Sequence, residues 1–569
     1  MSRGTFCLLF LFICVFCGSD GKRQNHHHHE RHAQNTASQD PVTVTPSGSI
    51  RGSWMTTRRG RQYQAYRGIR YAEAPVGELR FQPPRPIQTY TTEVDATKEG
   101  PGCPQPVASE TFFIDEDCLR LNVYTTGQDS KNLKPVLFYM HPGGFYSVSG
   151  RSDTSGGDYF LDRDIVVVSI NYRLATLGFL ATGDELAPGN NGFKDQVMAL
   201  RWVQKNIAAF GGNPNQVTIS GYSAGSFSVM LHMVSPMSKG LFHRAISMSG
   251  SPISQVVIPT KQPELAVRQA RILNCPTDSN KAIIDCLKTK TAKEFGDSLD
   301  QMFEFGYDPV LIWEPIIEPD FGQERFLTMD PLEAIKTGKL YEVPYIISQT
   351  KDEFFWKAYN VVDNATLLNT MNNEWDRIAP ISFYLSPKTA KHASDRLKQA
   401  FLSGKPVSRE PAVLKGLENL YSDSIIGFGV HKLAIVMSKY SKQPVYKYEF
   451  AYVGNNSHYV DPKTNRPTGA AHHDDLIYLF GIPAGWPIIQ VSESKDSELV
   501  DKMTAIFYNF ARTGNPHNTG DTPELSSMTW PLMTPDKREY LRIDEEFSVH
   551  SRLFEDRYNI WEELYPINC

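Results

Sequence analysis

The chain has 569 residues, 41% of them hydrophobic and 21% charged, with a formal net charge of -5 at pH 7. This is ordinary globular composition, long enough for a large buried core. The mild acidity provides no basic stripe of the kind nucleic acid requires, so no polyanion partner is indicated.

The first residues, MSRGTFCLLFLFICVFCGSDG, place Arg3 ahead of an apolar stretch from Phe6 to Phe16, followed by the small residues Gly18 and Ser19. That order fits a secretory signal peptide over residues 1–19, cleaved near residues 17–21. The stretch is too short to span a bilayer. Export to the extracellular space is therefore expected. Residues 20–40 are polar and non-periodic, including the run His26 to His29, and are expected to form a disordered, solvated tail.

Cys7, Cys14 and Cys17 lie in or beside the leader, which leaves Cys103, Cys118, Cys275, Cys286 and Cys569. The first four form two closely spaced pairs, and an oxidising compartment favours short-loop disulfides, so Cys103 is expected to bond Cys118 and Cys275 to bond Cys286. Cys569 is the odd one, either a free thiol or the bridge of a homodimer. The sequons at Asn364 and Asn455 agree with export and are candidate glycosylation sites.

Further along, the runs VLFYM at 136, IVVVSI at 165, VTIS at 217, AISMS at 245 and YIIS at 345 are apolar and continuous, not alternating. Strands buried on both faces of a mostly parallel sheet look like this. Between the second and third runs, Val197, Leu200, Val203, Ile207 and Phe210 recur at spacings of three and four, predicting an amphipathic helix stopped by Gly211 and Gly212. Strand, helix, strand implies an α/β fold. Residues 260–440 are richer in helical pattern and are expected to form a cap or insertion. Residues 41–569 read as one domain, without internal repeats. No apolar C-terminal tail is present to signal a lipid anchor or membrane stalk.

Two features carry chemistry. The strand ending at Met140 breaks into His141-Pro142-Gly143-Gly144, and two adjacent glycines can present backbone amides closely to an anion. The run VTISGYSAGS passes from strand to helix through Gly221-Tyr222-Ser223-Ala224-Gly225, a G-x-S-x-G elbow that holds a serine above the sheet at a helix N-terminus. Serine needs a base to take its proton and a carboxylate to orient that base. After YIIS the sequence offers Asp352 and Glu353, and TGAAHHDDLIYLF offers His472 and His473. From the residues alone both choices stay open.

The stretches EDCLRLNVY, SINYRLATLGFL, GNNGFKDQVMALRWVQKNIAAFGGNPNQVTISGYSAGS and SPMSKGLFHRAISMSGS resemble the carboxylesterase and cholinesterase family from about residue 40 to the end. The resemblance implies an α/β-hydrolase fold: a large, mostly parallel sheet flanked by helices, with helical cap insertions. It implies Ser223 as nucleophile, Glu353 as acid and His472 as base, with Gly143, Gly144 and Ala224 as amide donors to an oxyanion. The same disulfide pairs are implied, and Asp475 stands where members often carry an acid three residues after the histidine. Neither metal nor organic cofactor is implied.

Departures from the family pattern bear on the substrate. Pro142 replaces a glycine, Tyr222 stands where many members have glutamate, and Phe354 follows the acid where many have glycine. The loop between Cys103 and Cys118 has no tryptophan, the platform that cholinesterases place there for a quaternary ammonium. An uncharged small-molecule ester is the expected substrate. The alternative is a catalytically silent or slow-turnover binding or adhesion protein of the same family, which usually lacks a triad residue and carries a membrane span.

Overall fold

The structure, a computed structural model, describes residues 39–107, 112–127, 129, 131–517 and 520–567. The leader, the tail up to residue 38 and Cys569 lie outside the described residues.

The five apolar runs are neighbours in one 11-stranded sheet. In chain order its strands are β1 (Ser53–Thr56), β2 (Gln62–Arg70), β3 (Arg120–Thr125), β4 (Lys134–Met140), β5 (Val166–Ile170), β6 (Gly212–Tyr222), β7 (Arg244–Met248), β8 (Tyr345–Thr350), β9 (Val445–Phe450), β10 (Glu539–Ile543) and β11 (Ser548–Ser551). Across the sheet they run β11-β10-β9-β8-β7-β6-β4-β5-β3-β2-β1. From β5 to β10 every pairing is parallel, and the antiparallel pairings lie toward the two edges.

Side chains alternate across a strand, and both faces of the central strands are covered. Val136, Phe138 and Met140 enter one core with Val166, Val168 and Ile170. Leu137, Tyr139 and Val167 enter the other. Continuous apolar runs follow directly, because neither face meets water.

The helix between β5 and β6, α1 (Asn191–Asn206), is shorter than its periodicity predicts. Ile207 to Phe210 tighten into a 3-10 turn in which Ile207 and Phe210 remain buried, and Gly211 ends it at φ 80°. Gly212 is already the first residue of β6, not part of the helix stop. Two buried ion pairs tie α1 to the loops around it: Arg173 with Asp195 at 2.7 Å and Lys194 with Glu318 at 2.6 Å.

The helix-rich region is present, with helices from Pro263 to Tyr440 interrupted by β8. The run Pro411–Tyr440 is long and apolar enough to cross a membrane by composition, yet its apolar window is wholly buried in the protein. Both disulfides, Cys103–Cys118 and Cys275–Cys286, are formed.

Candidate active site

Strand order reverses at β4, which pairs with β5 on one side and β6 on the other. The carboxyl edge at such a reversal is where open α/β sheets bind ligands. Met140 and Gly221 are register partners there, so the chain leaving β4 into His141-Pro142-Gly143-Gly144 emerges beside the chain leaving β6 into Ser223.

Ser223 caps α2 (Ala224–Val234) with φ 53° and ψ -115°, a strained backbone for a residue with a Cβ. Its own amide donates to the Met248 carbonyl at 2.8 Å. The flanking glycines make the turn possible. A Cβ on Gly221 would lie 2.2 Å from the Gly225 carbonyl oxygen, and one on Gly225 would lie 2.1 Å from that of Met140.

Gly143 and Gly144 have φ 113° and 58°. A Cβ on Gly143 would meet the Ser147 carbonyl oxygen at 2.1 Å, and one on Gly144 the Tyr146 ring at 2.5 Å. The Gly143 carbonyl is occupied by the turn, accepting from the Tyr146 and Ser147 amides at 2.9 Å each. Among the described residues the Gly143 and Gly144 amides donate to nothing, so both stay open to an acceptor from outside. Pro142 lacks an N–H, but its carbonyl accepts from His141 Nδ1 at 2.7 Å. The His141 ring stacks on Tyr172 at 4.4 Å, and burial pushes its pKa down to about 4, so it is neutral.

The two acids after β8 separate by direction. Asp352 turns toward the histidine loop's backbone: its amide donates to the Ala470 carbonyl at 3.0 Å, and its carboxylate accepts from the Ala470 amide at 3.3 Å. Glu353 is fully buried, accepts the Thr350 amide at 2.8 Å and is hydrogen-bonded to His472 Nδ1. A carboxylate only accepts, so this bond puts the imidazole hydrogen on Nδ1 and leaves a lone pair on Nε2. His472 Nε2 is buried without a hydrogen-bond partner, and no bond to Ser223 is formed in this structure. Such bonds are often long before substrate binds.

Phe354 has φ 42°, a conformation glycine adopts freely, which gives a physical reason for the glycine common there. Its ring lies 4.2 Å from the His472 ring and covers it. Tyr222 bridges nucleophile strand and histidine loop: its hydroxyl accepts the His473 amide at 2.9 Å, and its ring stands 5.1 Å from that of His472. Behind them Asp475 is fully buried and accepts the Tyr448 hydroxyl at 3.0 Å. Burial, then the nearby charge of Glu353, pushes the Asp475 pKa up to about 7, with the Tyr222 and Tyr448 hydroxyls acting the other way.

Near Ser223 a cleft is lined by Phe145, Phe227, Trp313, Glu314, Tyr384 and Ile425, among others. Phe145 directly follows Gly144, and the Phe227 amide donates to the Ser223 carbonyl at 3.0 Å. These residues were not singled out in the sequence. The first and second stand beside the motifs and were findable by proximity; Trp313 and Glu314 carry no local signal. Among the described residues no cluster of three or more His, Cys, Asp or Glu is arranged to hold a metal.

Residues 39–561 match the model of the carboxylesterase family. The chain is 35% identical to juvenile hormone esterase of Tribolium castaneum over 90% of this chain and 89% of that one. It is 34% identical to venom carboxylesterase-6 of Apis mellifera, over 88% and 89%. Its structure superimposes on juvenile hormone esterase from Manduca sexta, crystallised with OTFP covalently attached, with a TM-score of 0.81 at 28% identity, covering 93% of this chain and all of that one.

Proposed function

The chain belongs to the carboxylesterase family, and on that premise we propose that this α/β-hydrolase cleaves uncharged carboxylic esters through a Ser223–His472–Glu353 triad and an acyl-enzyme. The observation that carries this reading is the Glu353–His472 bond, sealed from solvent, with the imidazole's other nitrogen left without a partner.

His472 Nε2 takes the Ser223 hydroxyl proton as Oγ attacks the ester carbonyl carbon. The carbonyl oxygen becomes an anion that accepts from the Gly143, Gly144 and Ala224 amides, and each such donor contributes roughly 2.7–4 kcal/mol to the transition state. As the tetrahedral intermediate collapses, the C–O bond to the alcohol breaks and His472 returns its proton to the leaving oxygen. Water repeats the sequence on the acyl-enzyme, releasing the acid and restoring Ser223. Glu353 holds the tautomer and stabilises the imidazolium. Secretion, from the leader sequence, completes the proposal.

Stopped-flow hydrolysis of a short-chain p-nitrophenyl ester tests it, with Ser223→Ala alongside. A burst of one equivalent followed by turnover in the native protein, and neither in the variant, is expected. Equal rates in the two proteins would overturn the assignment.

A further inference from the structure

Glu314 stands in the wall of the cleft beside Ser223 with no partner of its own. Among the described residues its carboxyl makes no hydrogen bond or ion pair, and burial alone pushes its pKa up to about 7, with no neighbouring cation pulling it back. It is enclosed by protein yet keeps part of its surface open to the cleft. Around it the lining is largely apolar, with Phe145, Phe227 and Leu311; the Trp313 indole N–H is buried without a partner, and the Tyr384 hydroxyl accepts the Leu311 amide.

The backbone that carries Glu314 is held in place. Its carbonyl accepts Gln262 Nε2 at 3.4 Å, the Ile316 amide donates to Asn190 Oδ1 at 3.0 Å, and the Ile317 amide donates to Pro259 at 2.8 Å. Another part of the cleft wall, Ser424 and Ile425, belongs to a π-helical segment, Asp423–Gly427, set within the buried helical run. Such widened turns recur at functional sites. A polar group in an apolar wall destabilises the protein unless something bonds it, so a rigid, unbonded acid here is matched to a ligand and not to the fold.

We propose that Glu314 is the specificity residue of this cleft, accepting a hydrogen bond from a hydroxyl or amide N–H on the chain of an uncharged ester whose carbonyl is held at Ser223. This deepens the esterase reading and rests on it. A purely alkyl chain would fill the aromatic wall and leave the acid unbonded, and a site built around such a bond discriminates against the analogue lacking it. A cationic chain would bring a second charge out of water, and that desolvation offsets much of the attraction.

The test uses two ketones that mimic the ester and cannot be hydrolysed, heptan-2-one and 7-hydroxyheptan-2-one. Their Kd is read from tryptophan fluorescence, since Trp313 lines the cleft. The native protein is expected to bind the hydroxylated ketone roughly 10-fold more tightly, the range of a hydrogen bond to a carboxyl. Glu314→Leu is expected to reverse the preference, and Glu314→Gln, which keeps an accepting oxygen and the side-chain volume, to retain part of it. An unchanged preference in a folded Glu314→Leu or Glu314→Gln protein would overturn the proposal. So would tighter, Glu314-dependent binding of 7-(trimethylammonio)heptan-2-one than of the hydroxylated ketone. Because these ligands need no turnover, failure of the esterase reading would show separately, as absent Ser223-dependent hydrolysis.

Discussion

Met140 and Gly221 face each other in register on adjacent parallel strands, and that pairing brings the di-glycine turn and the nucleophile elbow out of the sheet side by side. Neither motif does chemistry alone. On the proposed reading a serine at the elbow needs amide donors near the oxygen that becomes charged, and the reversal of strand order at β4 brings the Gly143-Gly144 turn beside it from a segment about 80 residues earlier.

Substituting Gly143 by alanine tests that arrangement. Its φ of 113° and the 2.1 Å approach of a Cβ to the Ser147 carbonyl oxygen force the turn to move. The expected outcome is a fall in kcat of roughly 10²–10³-fold, the range for losing one oxyanion donor. Steady-state kinetics below the variant's Tm separate this from unfolding. Full kcat in Gly143→Ala would count against an amide role for this turn.

Glu353→Gln addresses the histidine's orientation. A glutamine side chain can present its NH2 to Nδ1 and stabilise the wrong tautomer, so kcat should drop by roughly 10³–10⁴-fold with KM little changed. Asp352→Asn, which alters the latch to Ala470 and the ion pair with Lys415 at 3.7 Å, should keep most of the rate. The kcat and KM of the two variants, measured side by side, distinguish the acids.

Asp475 predicts a pH dependence of stability. Its pKa rises from 3.8 to about 7 on folding, so between these values the native state binds more protons than the unfolded one. Stability from this group therefore falls as pH rises from about 4 through about 7. Asp475→Asn removes a term on the order of 1–4 kcal/mol at pH 8, and denaturant titrations at pH 5 and pH 8 should show a smaller loss for the variant. An identical loss in both proteins would exclude Asp475 as the source.

The sequons differ in availability. Asn364 is exposed and uses only its carbonyl oxygen, capping a helix by accepting the Thr366 and Leu367 amides at 3.0 and 3.2 Å. Asn455 gives its amide nitrogen to Asp496 at 2.7 Å, and the hydroxyl of its sequon partner Ser457 is buried on Asp474 at 2.7 Å. Glycan is expected at Asn364 in preference to Asn455. Peptide mass spectrometry after enzymatic deglycosylation, which converts occupied Asn to Asp, reads both sites.

Local pattern determined much about this protein. The strands β4 to β8 are visible as apolar runs because both their faces are buried, and the elbow is visible because only glycine tolerates the contacts on either side of Ser223. The disulfides followed from the close spacing of each cysteine pair and the expected export of the chain. Strand β9, VYKYEF, escaped the same reasoning because Lys447 and Glu449 are buried within it, Glu449 being balanced by Arg542 at 3.0 Å from the next strand. Burial of a charge depends on a partner distant in the chain, and no local periodicity reports it.

Neighbouring candidates were likewise separated only in three dimensions. Asp352 and Glu353 are adjacent in sequence, as are His472 and His473, yet one of each pair turns toward the other's partner and the second anchors a loop. Glu314 has no sequence motif at all; its meaning comes from the apolar wall and the missing partner around it. Sequence periodicity encodes which face of an element is buried, whereas the pairing of side chains across elements is decided by strand order and register, which appear only when the chain is folded.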